Sequence, residues 1–263
     1  MGRVTQWLYR LAGVVLACGL TAGSVPLSTG SGQAPFVLAD TAPHQVVRIL
    51  LIGPPGAGKS TQALRLATSY GVPSISTGQL LRDAAAAPTP QGSDLKATLD
   101  RGDLAPDDVV IALLKERLKK PDAANGWVLN GFPRTLMQAL ALDHLLVDAQ
   151  QAASLVVALQ VPERVLVDRL VHRLVCPVCG RSYSAESNPP AKPGLCDADG
   201  ATLVQRPEDG AKSAVHRVED QSRLNEEMKA YYGGRDMYLS VDGSQSVEVI
   251  QREIVAALRK RRG

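Results

Sequence analysis

A three-layer α/β fold around a parallel sheet is the architecture this sequence predicts. Two observations carry the prediction. From Val46 onward, short apolar runs alternate with segments of helical periodicity, the pattern of strands joined by crossover helices. The first apolar run leads directly into a glycine-rich loop and then a helical segment. Composition agrees. The 263 residues are 45% hydrophobic and 21% charged, enough to bury a sizeable core, which excludes disorder as the main state. Only residues 11–39 lack charge at length, which excludes a multi-span membrane protein. With 4% aromatics, a base-stacking platform for RNA is not expected, and a net charge of +3 does not call for a nucleic-acid partner.

The elements follow in chain order. Residues 1–45 form an extension excluded from the folded region, 46–263. Arg3 and Arg10 precede the apolar stretch Leu11–Leu20, and no acidic residue occurs before Asp40. A basic start with an apolar stretch of about ten residues resembles a secretory signal and is short for a membrane span. Val15-Leu-Ala-Cys18 loosely matches a lipoprotein cleavage site, and the low-acid tract would also suit an organellar transit peptide. The plain alternative is an extension with no address. Cytoplasmic residence is the working expectation. Export, lipid anchoring or organellar import through residues 1–39 is the alternative, and only then would a membrane or export machinery be a partner.

Val46–Ile52 reads as a buried strand and Lys59–Tyr70 as a helix capped by Gly71. Trp127–Asn130 and Leu155–Leu159 read as further core strands. Pro162 suits a helix start, where its missing N–H costs nothing. Tyr238–Val241 reads as a last strand. A final helix places Val247, Ile250, Ile254 and Leu258 on one face and ends in the basic run Arg259–Arg262, which suits its dipole. Two stretches interrupt the alternation. Residues 76–105 look helical, with a break at Pro88 and Pro90. Residues 174–212 are rich in Gly, Pro, Asp and Cys.

Gly53-Pro-Pro-Gly56-Ala57-Gly58-Lys59-Ser60 satisfies G-x-x-x-x-G-K-[ST], with a strand before it and a helix, beginning with Thr61 in its first turn, after it. Phosphates need many N–H donors at close range, and side chains at the glycines would block that approach. Lys59 can reach the β- and γ-phosphates, and Ser60 can help hold Mg²⁺. The loop therefore predicts a P-loop nucleotide-binding fold, but it names no second substrate.

Cys176-Pro-Val-Cys179 is followed after sixteen residues by Cys196-Asp-Ala-Asp199. Two paired turns offering Cys176, Cys179, Cys196 and Asp199 have the layout of a closed, structural zinc site. The rival reading is three ordinary cysteines, or a disulfide in an exported protein.

Three further segments narrow the function: Ser76-Thr77-Gly78-Gln79-Leu80-Leu81-Arg82, Asn130-Gly131-Phe132-Pro133-Arg134-Thr135, and Val167-Asp168-Arg169-Leu170-Val171-His172-Arg173. With the phosphate loop, and in this order, they resemble adenylate kinase of the bacterial type with a long, zinc-binding lid. The resemblance runs from about Val46 to Arg259. It implies a P-loop core with a five-stranded parallel sheet, a helical AMP-binding insertion at about 76–105 and a zinc-stabilised lid at about 172–209. It also implies a monomer that transfers phosphoryl reversibly from Mg·ATP to AMP, giving two ADP.

By this resemblance Gly56 to Thr61, Arg173, Ser182, Tyr183 and Gln245 fall on the ATP side. Thr77, Arg82, Asp103, Leu104, Ala105, Gly131, Phe132, Pro133, Arg134 and Gln138 fall on the AMP side, where Gln138 would read the adenine edge. Lys59, Arg134, Arg169, Arg173, Arg206 and Arg217 would surround the transferring phosphates, with Arg206 and Arg217 reaching AMP as well. Such cations are what phosphoryl transfer asks of a protein, because catalysis there is positioning and charge neutralisation. Two positions depart from the family pattern. Asn130 stands where an aspartate is usual near the Mg²⁺ waters, and Gln79 replaces a common acid. Both reduce negative charge at the metal, while Glu208 and Asp209 keep an acidic pair in the lid. The rivals are a GTP:AMP or UMP/CMP kinase on the same fold, and a homologue that binds nucleotide or zinc with impaired catalysis.

Overall fold

The computed structural model of the chain describes residues 46–185 and 188–261. The expected extension at 1–45 and the last two residues, Arg262 and Gly263, lie outside the described residues. The order of elements is β1 (Val47–Ile52), α1 (Lys59–Tyr70), β2 (Ser74–Ser76), α2 (Thr77–Ala85), α3 (Pro90–Arg101), α4 (Asp107–Leu118), β3 (Gly126–Asn130), α5 (Leu136–Asp148), β4 (Leu155–Gln160), α6 (Glu163–Val171), β5 (Leu174–Val175), β6 (Ser182–Tyr183), α7 (Ala211–Tyr232), β7 (Tyr238–Asp242) and α8 (Val247–Lys260). Five strands form one sheet in the order β2-β3-β1-β4-β7, and every pairing in it is parallel.

The alternation of strand side chains divides the core into two layers. Val47, Ile49 and Leu51 of β1 face one layer with Val128, Leu155, Val157 and Leu159. Leu50 and Ile52 face the other with Trp127, Leu129, Val156 and Ala158. Ala63 and Leu66 of α1 and Ile250, Ile254 and Leu258 of α8 cover the first face. Val110 and Leu114 of α4 and Ala139, Leu142 and Leu146 of α5 cover the second. The long α7 serves both, through Ala214 and Val218 in one layer and Met228 and Tyr232 in the other.

Strands and helices stand where the apolar runs placed them, within a residue or so at their ends. Gly71 closes α1 in the left-handed conformation at φ 64°. The break in the helical insertion is residues 86–89, after which Thr89 accepts the Gly92 N–H at 3.0 Å and Pro90 opens α3. Six elements were not among those expected: β2, α4, α5, β5, β6 and α7. β2 has three residues, and only Ile75 is buried; it exists because it pairs with β3, with Ile75 opposite Leu129. α7 buries only Ala214, Val218, Gln221, Met228 and Tyr232 over 22 residues. That is too sparse for a continuous apolar stripe.

Parallel strands bring all their carboxyl ends to one edge, which is where α/β sheets bind ligands. The phosphate loop after β1, Thr77 after β2, Asn130 to Arg134 after β3 and Gly243 after β7 all lie there.

Close strand contact at the opposite edge rests on Gly126, at φ +119°, where an added Cβ would lie 2.3 Å from the Val47 carbonyl oxygen. Gly126→Ala is expected to cost about 3 kcal/mol, since the backbone cannot yield as a flexible side chain would. Chemical denaturation measures this. A loss below about 0.5 kcal/mol would show that β3 can shift away from β1 freely.

Candidate active site

The phosphate loop owes its shape to its glycines. Gly53, Gly56 and Gly58 have φ of 133°, 84° and 91°, a region that other residues enter only with strain. A Cβ on Gly53 would stand 2.6 Å from the Leu159 carbonyl oxygen, whereas Gly58 faces open space. Ala57 is fully buried. Gly58 caps α1, so Lys59, Ser60 and Thr61 form the first turn, whose N–H groups lack helical partners. Lys59 Nζ donates to the carbonyl oxygens of Gly53 and Pro54, both at 2.7 Å. Burial, then the nearby Arg134, Arg173 and Arg217, holds its pKa well below the ordinary lysine value. Asn130 Nδ2 donates to Ser60 Oγ at 3.0 Å, which ties the end of β3 to the loop through a neutral pair.

A second recess lies beside it, lined by Thr77, Leu81, Leu99, Asp103, Leu104, Ala105, Val110, Gly131, Arg134 and Gln138. Thr77 is buried and donates to the Gly131 carbonyl oxygen at 2.9 Å. Arg134 Nε donates to the same carbonyl at 3.1 Å. Burial lowers the Arg134 pKa to about 10, with Arg217 and Arg82 adding repulsion. Gln138 is buried; its Oε1 accepts the Arg134 backbone N–H at 2.8 Å and its Nε2 donates to Asp107 Oδ1 at 2.7 Å. Phe132 turns into the core, fully buried, so it and Pro133 can offer this recess only backbone. The Asp103 carboxylate accepts from Arg101 Nε at 2.8 Å, which lowers its pKa.

Between the two recesses the cations crowd. Asp209, fully buried, accepts from Arg173 Nε at 2.8 Å and from Arg217 Nη1 at 2.9 Å. Arg217 Nη1 also donates to the Glu208 carbonyl oxygen at 3.1 Å. Arg82 Nη1 lies 3.8 Å from Glu208 Oε1. Burial, then Arg82 and Arg173, brings the Arg206 pKa down to about 9. Arg217 and Arg82 are lowered mainly by burial too. Groups so penalised for carrying charge are short of anionic partners. The arrangement is suited to drawing in a polyphosphate.

Arg169 Nη1 donates to the Gly243 carbonyl oxygen at 3.0 Å, which anchors the turn that carries Gln245 to the rim of the phosphate loop. Lid and helical insertion touch. A Cβ on Gly180 would lie 3.2 Å from Gln79 Oε1, and Gln79 in turn accepts from Arg82 Nη2 at 3.1 Å.

In the lid, one ligand atom each from Cys176, Cys179, Cys196 and Asp199 falls within 4.8 Å of all the others. Cys176 Sγ is 3.3 Å from both Asp199 oxygens, and Cys179 and Cys196 Sγ are 3.5 Å apart. A tetrahedron with zinc–sulfur legs of ~2.3 Å and a zinc–oxygen leg of ~2.0 Å has edges of roughly 3.5–3.8 Å. The donors fit such an ion, and the sulfurs are too far apart for a disulfide. The Cys179 and Ala198 N–H groups point at Cys176 Sγ and Cys196 Sγ, both at 3.4 Å. Gly180 and Gly200 turn the chain at φ 72° and 70°. The Ala201 N–H, more than any neighbour, lowers the Asp199 pKa to about 2. Tyr183 is buried beneath the cluster, its hydroxyl 3.4 Å from Cys196 Sγ and accepting the Asp197 N–H at 2.9 Å. Toward the cleft this segment can therefore offer Ser182 and backbone, not the Tyr183 ring.

Among the sequence-predicted residues, the phosphate loop, Thr77, Asn130 to Arg134 and Gln138 thus meet at one edge of the sheet, while the Tyr183 ring turns away into the lid. Asp107 had no such signal: an acid after Pro106 reads as ordinary first-turn charge, and its partner Gln138 is 31 positions away.

A family model described as "Adenylate kinase" matches residues 51–237. The adenylate kinase of Carboxydothermus hydrogenoformans is 39% identical over 214 residues, 81% of this chain and 100% of that protein. That of Archaeoglobus fulgidus is 40% identical over 214 residues, 81% and 99%. That of an Anaeromyxobacter species is 43% identical over 202 residues, 77% and 94%.

The crowded cations make one expectation that needs no substrate. Inorganic tripolyphosphate should raise the melting temperature, with a stabilisation of about 2.7 kcal/mol at one hundred times its Kd, and the gain should shrink as salt is added. A melt indifferent to tripolyphosphate would mean that Glu208 and Asp209 already satisfy the arginines.

Proposed function

The chain belongs to the adenylate kinase family, and from that premise we propose that it moves the γ-phosphoryl group of Mg·ATP to AMP, reversibly, giving two ADP. The observation that carries this reading is Arg134. Its guanidinium lies between the phosphate loop and the recess that Gln138 lines, where an acceptor phosphate would meet the donor's γ-phosphate.

The chain's own groups account for the steps. The open N–H groups of the phosphate loop hold the β- and γ-phosphates, and Lys59 exchanges its two loop carbonyls for phosphate oxygens. Arg82 and Arg134 hold the acceptor phosphate. Arg173, Arg206 and Arg217 neutralise charge on the transferring group, where preorganised cations lower the barrier most. Arg169 braces the turn after β7 against the donor side, and Gln245 and Ser182 border that side. Thr77 and the backbone of residues 103–105 and 131–133 frame the acceptor nucleoside. Closure of the lid on the helical insertion excludes water and so protects the phosphoryl group from hydrolysis. Ser60 and Asn130 would hold Mg²⁺ with its water. When bound, the ion supplies charge neutralisation, and the neutral Asn130 lends it less than a carboxylate would.

Gln138 favours adenine on the acceptor side over uracil, whose edge offers a carbonyl and an N–H, and the long lid adds to the case against a UMP/CMP kinase. ATP as the donor, over GTP, rests on the family alone. Asn130 and Gln79 favour one second reading, a homologue of the same binding properties with slowed transfer. A monomer in the cytoplasm is our reading of its setting, with export, lipid anchoring or an organelle through residues 1–39 as the alternative. No helix among the described residues is long and apolar enough to cross a membrane.

We assign the lid site to a structural Zn²⁺. Three thiolates and one carboxylate suit that ion, and the four groups leave no open position for a reactant. The small lid core of Cys176, Tyr183, Cys196 and Leu203 has little apolar area of its own, so metal binding supplies much of its folding energy.

A coupled assay should detect ADP from ATP plus AMP and none from ATP alone. Lys59→Ala should cut kcat by about a thousandfold or more with the fold intact by circular dichroism. Near-normal turnover in that variant would remove Lys59 from the transferring phosphates. Wild-type turnover far below the usual 1–100 s⁻¹ range of kinases would favour the slowed homologue.

Protein purified without added metal should carry one Zn²⁺ per chain. Chelation or Cys196→Ser should loosen the lid before the α/β core melts. Elemental analysis showing no transition metal, with all three lid thiols open to alkylation, would end the zinc assignment.

A further inference from the structure

We propose that Asp107 is a specificity-determining positioning residue: it fixes which end of the Gln138 amide faces which atom of the acceptor base, and so selects adenine over a 6-oxopurine. The proposal rests on the reading of the recess as an AMP site and names what sets its choice of base.

An amide has two N–H hydrogens and two oxygen lone pairs. In Gln138, 3% exposed, the protein engages one of each. Oε1 takes the Arg134 backbone N–H at 2.8 Å, and Nε2 gives a proton to Asp107 Oδ1 at 2.7 Å. Neither partner tolerates the opposite orientation. A backbone N–H cannot accept, and a carboxylate cannot donate. Turning the amide over would set NH₂ against N–H and oxygen against carboxylate, losing two hydrogen bonds, one of them charge-assisted. One lone pair and one N–H of fixed order remain for the cavity that Gln138 lines. Adenine offers an amino donor at C6 and an acceptor at N1, which match that order; hypoxanthine and guanine offer a carbonyl at C6 and a donor at N1. The lone pair and N–H of a locked amide pair with the first edge and oppose the second.

Asp107 is itself held. Its Oδ2 accepts from Thr135 Oγ1 at 2.8 Å, and Thr135 Oγ1 accepts the Gln138 backbone N–H at 3.2 Å. Carboxylate, threonine and glutamine close a loop that joins the start of α4 to the start of α5. Asp107 stands in the first turn of α4, an end of the helix where acidic residues are favoured.

The experiment measures kcat/KM for AMP and for IMP at saturating Mg·ATP, with calorimetric binding of both, in wild type, Asp107→Asn and Asp107→Ser. IMP is the probe because it carries the 6-oxo edge without the 2-amino group. Asparagine and serine can each donate or accept, so they remove the carboxylate's half of the lock and leave the amide's orientation to the Arg134 N–H alone. In either variant the AMP-to-IMP ratio should fall on the order of tenfold, mostly through KM for the monophosphates, with KM for ATP unchanged. Serine is the second route should the asparagine variant not fold, and a melting curve of each protein shows which reports. An unchanged ratio in a folded variant, or an equal loss for both monophosphates, would reduce Asp107 to a structural acid and overturn the proposal. A wild type that makes no ADP but whose variants still lose binding preference would overturn the reaction and keep the lock.

Discussion

Everything at the sheet edge depends on Asp209, among the described residues the one carboxylate that touches both Arg173 and Arg217. Six cations converge where the strands end, and in low dielectric their mutual repulsion would hold the cleft apart. With no exposure and both oxygens committed, Asp209 offsets the desolvation of two guanidiniums while leaving the others underserved. Its desolvation is tolerable only because each oxygen is hydrogen-bonded, the condition under which a buried charge cluster can persist. Lys59, Arg134 and Arg206 carry lowered pKa values chiefly because they are buried, with neighbouring guanidiniums adding repulsion. The cleft keeps an excess of positive charge without ligand, and a chain of phosphates would offset it.

The phosphate loop was legible because its chemistry is local. Eight consecutive residues supply shape, donors and charge, and no distant contact is needed to recognise them. β1, β3, β4 and β7 were legible because each is a run of apolar residues. β2 was not: Ser74 and Ser76 flank a single buried Ile75, and the strand is imposed by pairing with β3. α7 escaped notice for a related reason, since it splits its few apolar residues between two layers on opposite faces of the sheet.

Within the site, residue types were readable and side-chain directions were not. Tyr183 sits in a segment expected to border the nucleotide, yet its ring faces the cluster because the Cys196 sulfur and the Asp197 N–H together engage its hydroxyl. The Asp107 pairing depends on two helix starts meeting in space, which no spacing in the chain encodes. Asn130 is the converse case. Its departure from the family pattern was plain in one letter, and its physical effect, a neutral tie to Ser60, needed the geometry.

The placement of cations around the lid has a consequence for how this chain can vary. Arg173 follows α6 and Arg206 precedes the turn into α7, so both stand at the feet of the lid, while Cys176, Cys179, Cys196 and Asp199 occupy its tip. Arg217 belongs to α7, which the two core layers anchor. The tip therefore owns the cohesion of the lid, and the body of the protein owns its charge. Inheritance can act on the two separately: drift in the tip retunes how firmly the cover holds together, while the groups that meet the phosphates stay in the keeping of the sheet.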